Sequence, residues 1–396
     1  MTKNMVRLGD ICTVVSGSTP KTSVSEYWDG DIKWITPAEL NEDSFYLHDS
    51  VRHITELGKE KTGLSYMPTG TVILSSRAPI GKTAIAACEM CCNQGFKNLI
   101  CSDKIFNEYL YFFLSAKTEY LNSLGRGATF KEISKAIVEN IMIPLPGIED
   151  QKQIAARFVQ VEDLIRLRKE QLQQLDQLVK SRFIELFGDE TEFGKWPCCT
   201  IGDVADVCVG VVIKPTQYYT DKGIPAFRSL NIGEMRVKDV DWVYFTEEGH
   251  QKNQKSVIQK NDVLVVRSGA PGTACVATEK YDGYNAVDII IAHPDNSKVD
   301  SVFLAAFTNM PHGMNQIRAK TGGAAQQHFN VGGYKAMNLI MPPMELQKQF
   351  AAFVEHTDKL KFAVQNAVYL QITLILNLVN HPWEHWASVS NKGVKL

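Results

Sequence analysis

IEDQKQIAARFVQVEDLIRLRKEQLQQLDQLVKSRFIELF, residues 148–187, decides the architecture. Its apolar residues keep a seven-residue rhythm at Phe158, Ile165, Leu172, Val179 and Leu186, with a second row at Ile154, Val161 and Leu175. Spacings that alternate between three and four make a narrow seam, the pattern of a coiled coil rather than of a broad core face. Arg168 and Arg182 interrupt the second row, where either can snorkel or pair. At ~1.5 Å per residue the segment predicts a rod of roughly 60 Å. Gly188 and Asp189 supply a helix-ending signal.

A single rod with one apolar seam needs something to pack against. The same alternating spacing returns near the other end of the chain, at Leu346, Phe350, Phe353, Thr357, Leu360, Val364, Ala367, Gln371, Leu374 and Leu378. The two helices also begin alike. Pro144 is set opposite Pro342, and Glu149, Gln151, Lys152, Gln153, Ala155 and Ala156 stand opposite Glu345, Gln347, Lys348, Gln349, Ala351 and Ala352, each of these six pairs 196 residues apart. Two unrelated amphipathic helices would share hydrophobicity but not residue identities in register.

The repeat continues outside the helices. Leu8-Gly9-Asp10 recurs as Ile201-Gly202-Asp203. The strand-like run Gly70 to Leu74, with Arg77, Ala78 and Gly81, is echoed by Asp262 to Val266, with Arg267, Gly269 and Gly272. Gly125 to Phe130 is echoed by Gly322 to Ala325, and Asn140 to Pro144 by Asn338 to Pro342. The offset drifts between 190 and 198, as loops of unequal length on one scaffold would make it. The period is far too long for a solenoid.

The expected fold class is therefore mixed α/β, with two tandem globular domains and two long helices that pair as an antiparallel coiled coil, a pseudo-twofold arrangement. The expected boundaries are a first domain at 1–147, a spacer helix at 148–188, a linker at 189–199, a second domain at 200–343, a second helix at 344–380 and a loosely held tail at 381–396. Short helices are predicted over Tyr109 to Leu121 and Val302 to Thr308 within the two domains. The aromatics Tyr27, Trp28, Trp34, Trp242, Tyr244 and Phe245 read as packing residues rather than base-stacking platforms.

Composition narrows the function classes. The 396 residues carry a formal net charge of −2, so no global basic signature of a nucleic-acid binder is present and local loops would have to supply it. Nine cysteines, with a single CxxC at Cys88 to Cys91 and no second Cys/His pair at metal-like spacing, point to a reducing cytoplasm. No apolar signal core opens the sequence, and Ala367 to Val379 is too short and too polar for a membrane span. Catalytic motifs are missing. Gly81-Lys82-Thr83 ends like a phosphate-binding loop, but Ser76 stands where that loop needs glycine. Met341-Pro342-Pro343-Met344 has the prolines of an adenine-methyltransferase motif without its flanking amide or acid and its aromatic. His250, His293, His312 and His328 are too scattered for a metal site.

The chain up to its tail resembles the specificity subunit of a Type I restriction–modification enzyme. The residues that carry this are GSTPKTSVSEYWDGDIKWITPAEL (17–40), the strand and turn ending at Gly81, GRGATFKEIS (125–134), IPLPGIEDQKQIAARF (143–158) and, in the second copy, MPPMELQKQFAAFV (341–354). The second copy departs at its start, where Val211 to Lys214 replace Gly-Ser-Thr-Pro. The resemblance implies a non-catalytic, cytoplasmic protein. Each globular unit would be a target recognition domain reading one half of a split site in double-stranded DNA. The helices would set the spacing and dock two methyltransferase subunits. Restriction/translocase subunits would complete the complex, with S-adenosylmethionine, ATP and Mg belonging to the partners and no cofactor or metal in this chain. The alternative is a structural adaptor whose paired units bind proteins instead of DNA; a stand-alone restriction enzyme fused to such units is the remote third reading.

Base readout needs Arg or Lys for guanine, Asn or Gln for adenine and hydroxyls for several bases, while phosphates take Lys, Arg, hydroxyls and backbone N–H groups. Glycine-rich turns allow the closest approach. On that basis the DNA-contact candidates are Lys21, Thr36, Arg77, Lys82, Arg126, Thr129 and Lys131 in the first domain. In the second they are Lys214, Arg228, Ser229, Arg267, Lys320, Gln326, Gln327 and His328.

Overall fold

Val72-Ile73-Leu74 is an unbroken apolar run because its strand is covered on both faces. Val72 and Leu74 join a core with Val14, Ile85 and Leu99, and Ile73 faces the other way into a second core with Ala84, Ala86 and Phe96. Val263 to Val266 repeats this: Val263 and Val265 enter one core, Leu264 and Val266 the other. Period-two alternation sorts the side chains to opposite faces, and every one of them is buried.

These relations come from a computed structural model, which describes residues 5–41, 44–77, 79–127, 131–321 and 328–380. The chain divides into two compact units, Met1–Arg168 with the chain from Ala367 onward, and Lys169–Asn366.

In the first unit a five-stranded sheet runs in the order Cys12–Ser16, Lys97–Cys101, Val72–Leu74, Thr83–Ala86, Tyr46–Leu47. Its pairings are antiparallel except the last. A three-stranded sheet places Trp28–Ile35 between Arg52–Ile54 and, in parallel, Cys91–Cys92. Met5–Arg7 pairs with Met142–Pro144. The second unit repeats these pieces, its larger sheet without the fifth strand: Ala205–Val209, Ile289–Pro294, Val263–Val266 and Ala274–Val276 form it in that order. Ile224–Phe227 lies between Val243–Phe245 and, in parallel, Asn285–Ala286. Cys198–Thr200 pairs with Asn338–Ile340. The duplication read from sequence is thus a duplication of strand order and strand sense.

Several expectations are sharpened here. The predicted helix at Tyr109 to Leu121 is two, Asn107–Ser115 and Thr118–Ser123, and its counterpart is Ser301–Asn309. Trp28 and Trp34 are buried and meet edge to face, with the Arg52 guanidinium 3.6 Å from the Trp28 ring. Gly17 keeps its counterpart in Gly210, so the second copy does not lose that glycine. A Cβ would strike the Cys92 carbonyl oxygen at the first and the Ala286 backbone at the second. The segment read as a linker is tied down. Asp189 caps the turn Glu190–Lys195, Trp196 donates its indole N–H to the Phe187 carbonyl at 2.9 Å, and Cys198–Thr200 is a strand. The tail from 381 lies outside the described residues.

The first long helix spans Ile148–Phe187 and the second Met344–Asn380. Gly188 ends the first in the left-handed region at φ +89° and donates to the Ile184 carbonyl at 2.8 Å. Within the second unit Phe183 and Phe187 pack on Phe350 at ring separations of 5.4 and 5.7 Å, Arg182 lies over Phe353, and Asp176 meets Lys361 at 2.7 Å. Contacts that move down one helix as they move up the other make the pairing antiparallel. The heptad positions Ile165, Leu172 and Leu175 are half-buried between exposed neighbours, as a narrow seam requires. One seam position is corrected. Leu360 is 45% exposed, and Lys361 takes the inward place. Its stem is covered while its ammonium reaches both Asp176 and Asp358, which a leucine could not satisfy.

The shared start of the helices has a structural cause. Gln151 is fully buried. Its amide oxygen accepts from the Phe106 N–H at 2.8 Å, and its NH2 donates to the Lys104 and Pro146 carbonyls. Gln347 accepts from the Asp300 N–H at 2.9 Å and donates to the Pro342 carbonyl at 2.9 Å. Each glutamine therefore ties its long helix to the first turn of the short helix in its own unit. Pro146, not Pro144, is the true counterpart of Pro342.

Gln347→Leu should lower the stability of the second unit by about 2 kcal/mol, because it strands a buried N–H and a carbonyl. Gln349→Leu, at an exposed position, should leave it unchanged; urea unfolding of the two variants checks this. Burial pushes the Glu162 carboxyl up to about 7, with Asp163 adding to the rise. A raised folded-state pKa favours the fold below the unfolded value and loses that contribution as pH climbs through the folded one. Glu162→Gln should therefore add about 1 kcal/mol at pH 8, after allowance for partial exposure. The gain should vanish below pH 4.5, in unfolding titrations at the two pH values.

Candidate nucleic-acid interface

In the first unit the strand Val72–Leu74 runs on through Ser75 and Ser76 to Arg77, and the chain turns back at Gly81. Ser75 braces the turn: its hydroxyl donates to the Pro79 carbonyl and accepts from the Lys82 N–H, while the Gly81 N–H reaches its carbonyl at 3.0 Å. Glu132 returns alongside. It exchanges two backbone hydrogen bonds of 3.0 Å with Arg126, bridges Arg77, and accepts the Lys97 ammonium at 3.1 Å. Lys97 is mostly buried and also reaches the Ser76 hydroxyl. Arg77 and Arg126 thus flank Glu132 through the backbone while its carboxylate pairs with Lys97, and Lys131 is exposed next to it in sequence. Cations in such excess leave a positive local field for phosphate.

The remaining first-unit candidates lie elsewhere or already have partners. The Thr36 hydroxyl donates to Glu39 at 3.0 Å in a capping box. The Lys82 ammonium donates to the Leu40 carbonyl. Lys21 is exposed, in the loop that offers its carbonyl to the Trp28 indole. Gly95 sits where a Cβ would meet both Pro37 and Arg77, so it keeps the Thr36 turn close to the basic cluster. Thr129 lies outside the described residues.

The second unit builds the same corner from other side chains. Arg267 pairs with Asp288 at 2.5 Å, and the Ser268 hydroxyl meets His328 Nδ1 at 2.7 Å across a backbone bridge. Asp288 holds φ +50°, a conformation that aspartate tolerates better than most residues. The Val287 N–H donates to the Phe227 carbonyl at 2.8 Å, which brings Arg228 and Ser229 to the same edge. Arg228 donates to the Asp241 carbonyl. Lys320 is exposed and donates to the Gly333 carbonyl at 2.8 Å, with partial burial lowering its ammonium pKa. Lys214 is exposed at φ +47° on another loop. Gln326 and Gln327 lie outside the described residues, and His328 is the first described residue after them.

The equivalence read from identity, Arg77 with Arg267, is one residue out of register. The Ile133 N–H reaches the Ser76 carbonyl as the Phe329 N–H reaches the Arg267 carbonyl, both at 3.0 Å. The bridge of Arg77 with Glu132 is that of Ser268 with His328. Arg77 therefore corresponds to Ser268, Glu132 to His328 and Ser76 to Arg267. Lys97, Glu132 and Asp288 were not among the sequence candidates. A lysine opening the largely buried strand Lys97–Cys101 was the one available signal.

The family model described as "Type I restriction modification DNA specificity domain" matches residues 2–177 and again 194–374. The chain belongs to this family. It is 29% identical over 381 residues to the Type I restriction enzyme MjaIX specificity subunit of Methanocaldococcus jannaschii, covering 88% of this chain and 85% of that one. It is 22% identical over 404 residues to the StySPI specificity subunit of Salmonella potsdam, covering 93% and 84%. Among solved structures it superposes on the S subunit of a type I system from M. genitalium with a TM-score of 0.52 at 14% identity, covering 95% and 94%. A chain from a structure on complex assembly and conformational transition of the type I R-M system gives 0.58 at 16%, covering 95% and 96%. The two matches of the family model fall on the two copies described above. Among the described residues no cluster of His, Cys, Asp or Glu could hold a metal ion, and no helix is long and apolar enough to cross a membrane.

The two glycines of the second unit's corner turn differ in what surrounds them. Gly269 (φ +90°) faces open space, whereas at Gly272 (φ +94°) a Cβ would lie 2.6 Å from Ile317 Cδ1 and 2.8 Å from Met314 Sδ. Gly269→Ala should cost about 1 kcal/mol for its backbone alone and Gly272→Ala about 2 kcal/mol or more, compared by thermal unfolding.

Proposed function

We propose that this chain is the sequence-specific DNA-recognition subunit of a Type I restriction–modification complex. Each unit reads one half of a bipartite target, and the two long helices set the gap. The observation that carries this is the pair of equivalent corners: one backbone frame presents Arg77, Glu132 and Lys97 in the first unit and Ser268, His328 and the Arg267–Asp288 pair in the second. A shared frame with different hydrogen-bonding groups is what two unlike half-sites call for. Basic side chains there hold phosphate, and the loops beyond them read base edges.

The helices also dock two methyltransferase subunits, with restriction/translocase subunits joining them. Supporting this, large apolar side chains stay exposed on the helices. Leu164, Leu167, Tyr369 and Leu370 do so in the first unit, and Leu178, Ile184, Leu360 and Phe362 in the second. Solvent-facing apolar residues on a paired helix mark a surface for further helices. The chain itself is non-catalytic, and S-adenosylmethionine, ATP and Mg act on the partner subunits.

Binding to labelled duplex should be sequence-dependent, and log K should fall linearly with log salt as counterions are released. Equal competition by specific and random duplex would favour the protein-binding adaptor instead. Arg126→Ala should weaken binding to all sequences and flatten that salt slope by about one charge. Mapping of methylated adenines with and without the gene gives the target. Removing one turn, roughly 5 Å, from both long helices should shorten the gap between half-sites by one or two base pairs. An unchanged gap would end the spacer role.

A further inference from the structure

Three adjacent strands of the second unit bring a thiol, an imidazole and a carboxylate into line. Cys208 on Ala205–Val209 pairs with Ile291, so His293, two residues further along Ile289–Pro294, is its diagonal neighbour on the same face. Asp262 immediately precedes Val263, which pairs with Ala292, and it therefore stands beside His293. The Cys208 Sγ lies 3.6 Å from His293 Nε2, and His293 Nδ1 lies 2.7 Å from Asp262 Oδ1. Asp262 is 3% exposed, and its second oxygen accepts from the Gln259 N–H at 2.6 Å, so the carboxylate is fixed. The hydrogen bond to Asp262, reinforced by Cys208, pushes the His293 pKa up to about 10. The thiol also meets the Lys255 carbonyl at 3.1 Å.

The fold does not need this arrangement. At the equivalent places the first unit has Val15, Ile100 and Thr71, and its sheet closes in the same register. Thr71 keeps only the turn contact, donating to the Pro68 carbonyl. The thiol and the imidazole are additions to a shared scaffold. A thiol beside an imidazole that a buried carboxylate orients is the side-chain set of a nucleophilic site.

We propose that Cys208 is an activated thiol and a modification site for small thiol-reactive molecules, namely alkylating electrophiles and low-molecular-weight disulfides. His293, held as an imidazolium by Asp262, turns its Nε2–H to the sulfur and stabilises the thiolate, while the thiol proton passes to water. With a disulfide, the thiolate attacks one sulfur, a new S–S bond forms to Cys208, and the old S–S bond breaks with its electron pair on the departing sulfur. Water returns a proton to that sulfur. The products are one mixed disulfide and one free thiol, with no net oxidant required. The Lys255 carbonyl opposes deprotonation, and the imidazolium N–H replaces it as the partner of sulfur.

The test is limiting iodoacetamide at pH 7 on the full chain, with peptide mapping of all nine cysteines, and oxidised glutathione as the second reagent. Cys198 is the exposed reference, Cys208 is half-exposed, and Cys275 is buried. Access alone would label Cys198 first. The proposal expects Cys208 to react about tenfold faster than Cys198, the gain in thiolate fraction outweighing lower nucleophilicity. His293→Gln should bring Cys208 down to the Cys198 rate, and Asp262→Asn, which keeps the turn cap, should lower it by a smaller factor. Glutathione should mark Cys208 first. Continued protection of Cys275 shows that each variant is folded. Labelling that follows exposure in the unsubstituted protein, or a Cys208/Cys198 ratio untouched by both substitutions, overturns the proposal.

Discussion

The buried amides of Gln151 and Gln347 are the constraint on which the rest depends. A long helix that merely touched its domain through apolar contacts could slide or rotate at small cost, since such contacts are non-directional. A buried amide with its oxygen on one backbone N–H and its NH2 on carbonyls cannot, because any shift leaves polar groups without partners in a dry place. Each glutamine sits one turn into its helix and holds the first turn of the domain's own short helix. The direction in which the long helix leaves the domain is thereby set by hydrogen bonds, and the same bond pattern sets it in both units. Aromatic packing then fills in around the clamp, with Phe158 against Phe112 in the first unit and Phe183 and Phe187 against both Phe303 and Phe350 in the second.

The seam obeys a different rule. Its middle is made of half-buried residues rather than a solid core, so it is held by many modest contacts. Lys361 shows how register is chosen among them. An apolar seam tolerates a slip of one heptad, but a lysine that must find Asp176 on the opposite helix and Asp358 on its own does not. Polar residues at seam positions specify register at some expense of stability. Sequence periodicity alone favoured Leu360 for that position because it counts apolarity, and the choice here was made by ion pairing.

What could be read from the sequence follows the range of the interactions. The long helices, their antiparallel pairing and the duplication were legible because heptads and repeated identities are local or periodic signals. The strands Val72–Leu74 and Val263–Val266 were legible for the same reason. The corners were only partly so. Arg77 and Arg126 were found through their glycine turns, but Lys97 and Glu132 meet across 35 residues and nothing in spacing announces it. The match of Arg77 to Arg267 failed because identity was trusted over register, and a one-residue slip along a strand moves a side chain to the opposite face. The true counterparts became visible only through the backbone bonds of Ile133 and Phe329.

That failure carries a lesson about how such a protein can vary. If the frame fixed its side chains, equivalent positions would have kept equivalent chemistry. Instead the backbone bonds from Ile133 to Ser76 and from Phe329 to Arg267 are the same length, while the residues they present differ in charge, size and hydrogen-bonding role. Main-chain bonds are indifferent to side-chain identity, so a corner built from them can change what it presents without changing where it presents it. The glutamine clamps and the seam do the reverse: their side chains are the structure, and they have kept their identity or their register. A molecule divided this way can alter what each unit touches while leaving the exit angle of each helix untouched. Selection for a new target would then act on the corner residues, and selection for assembly on Gln151, Gln347 and the residues of the seam.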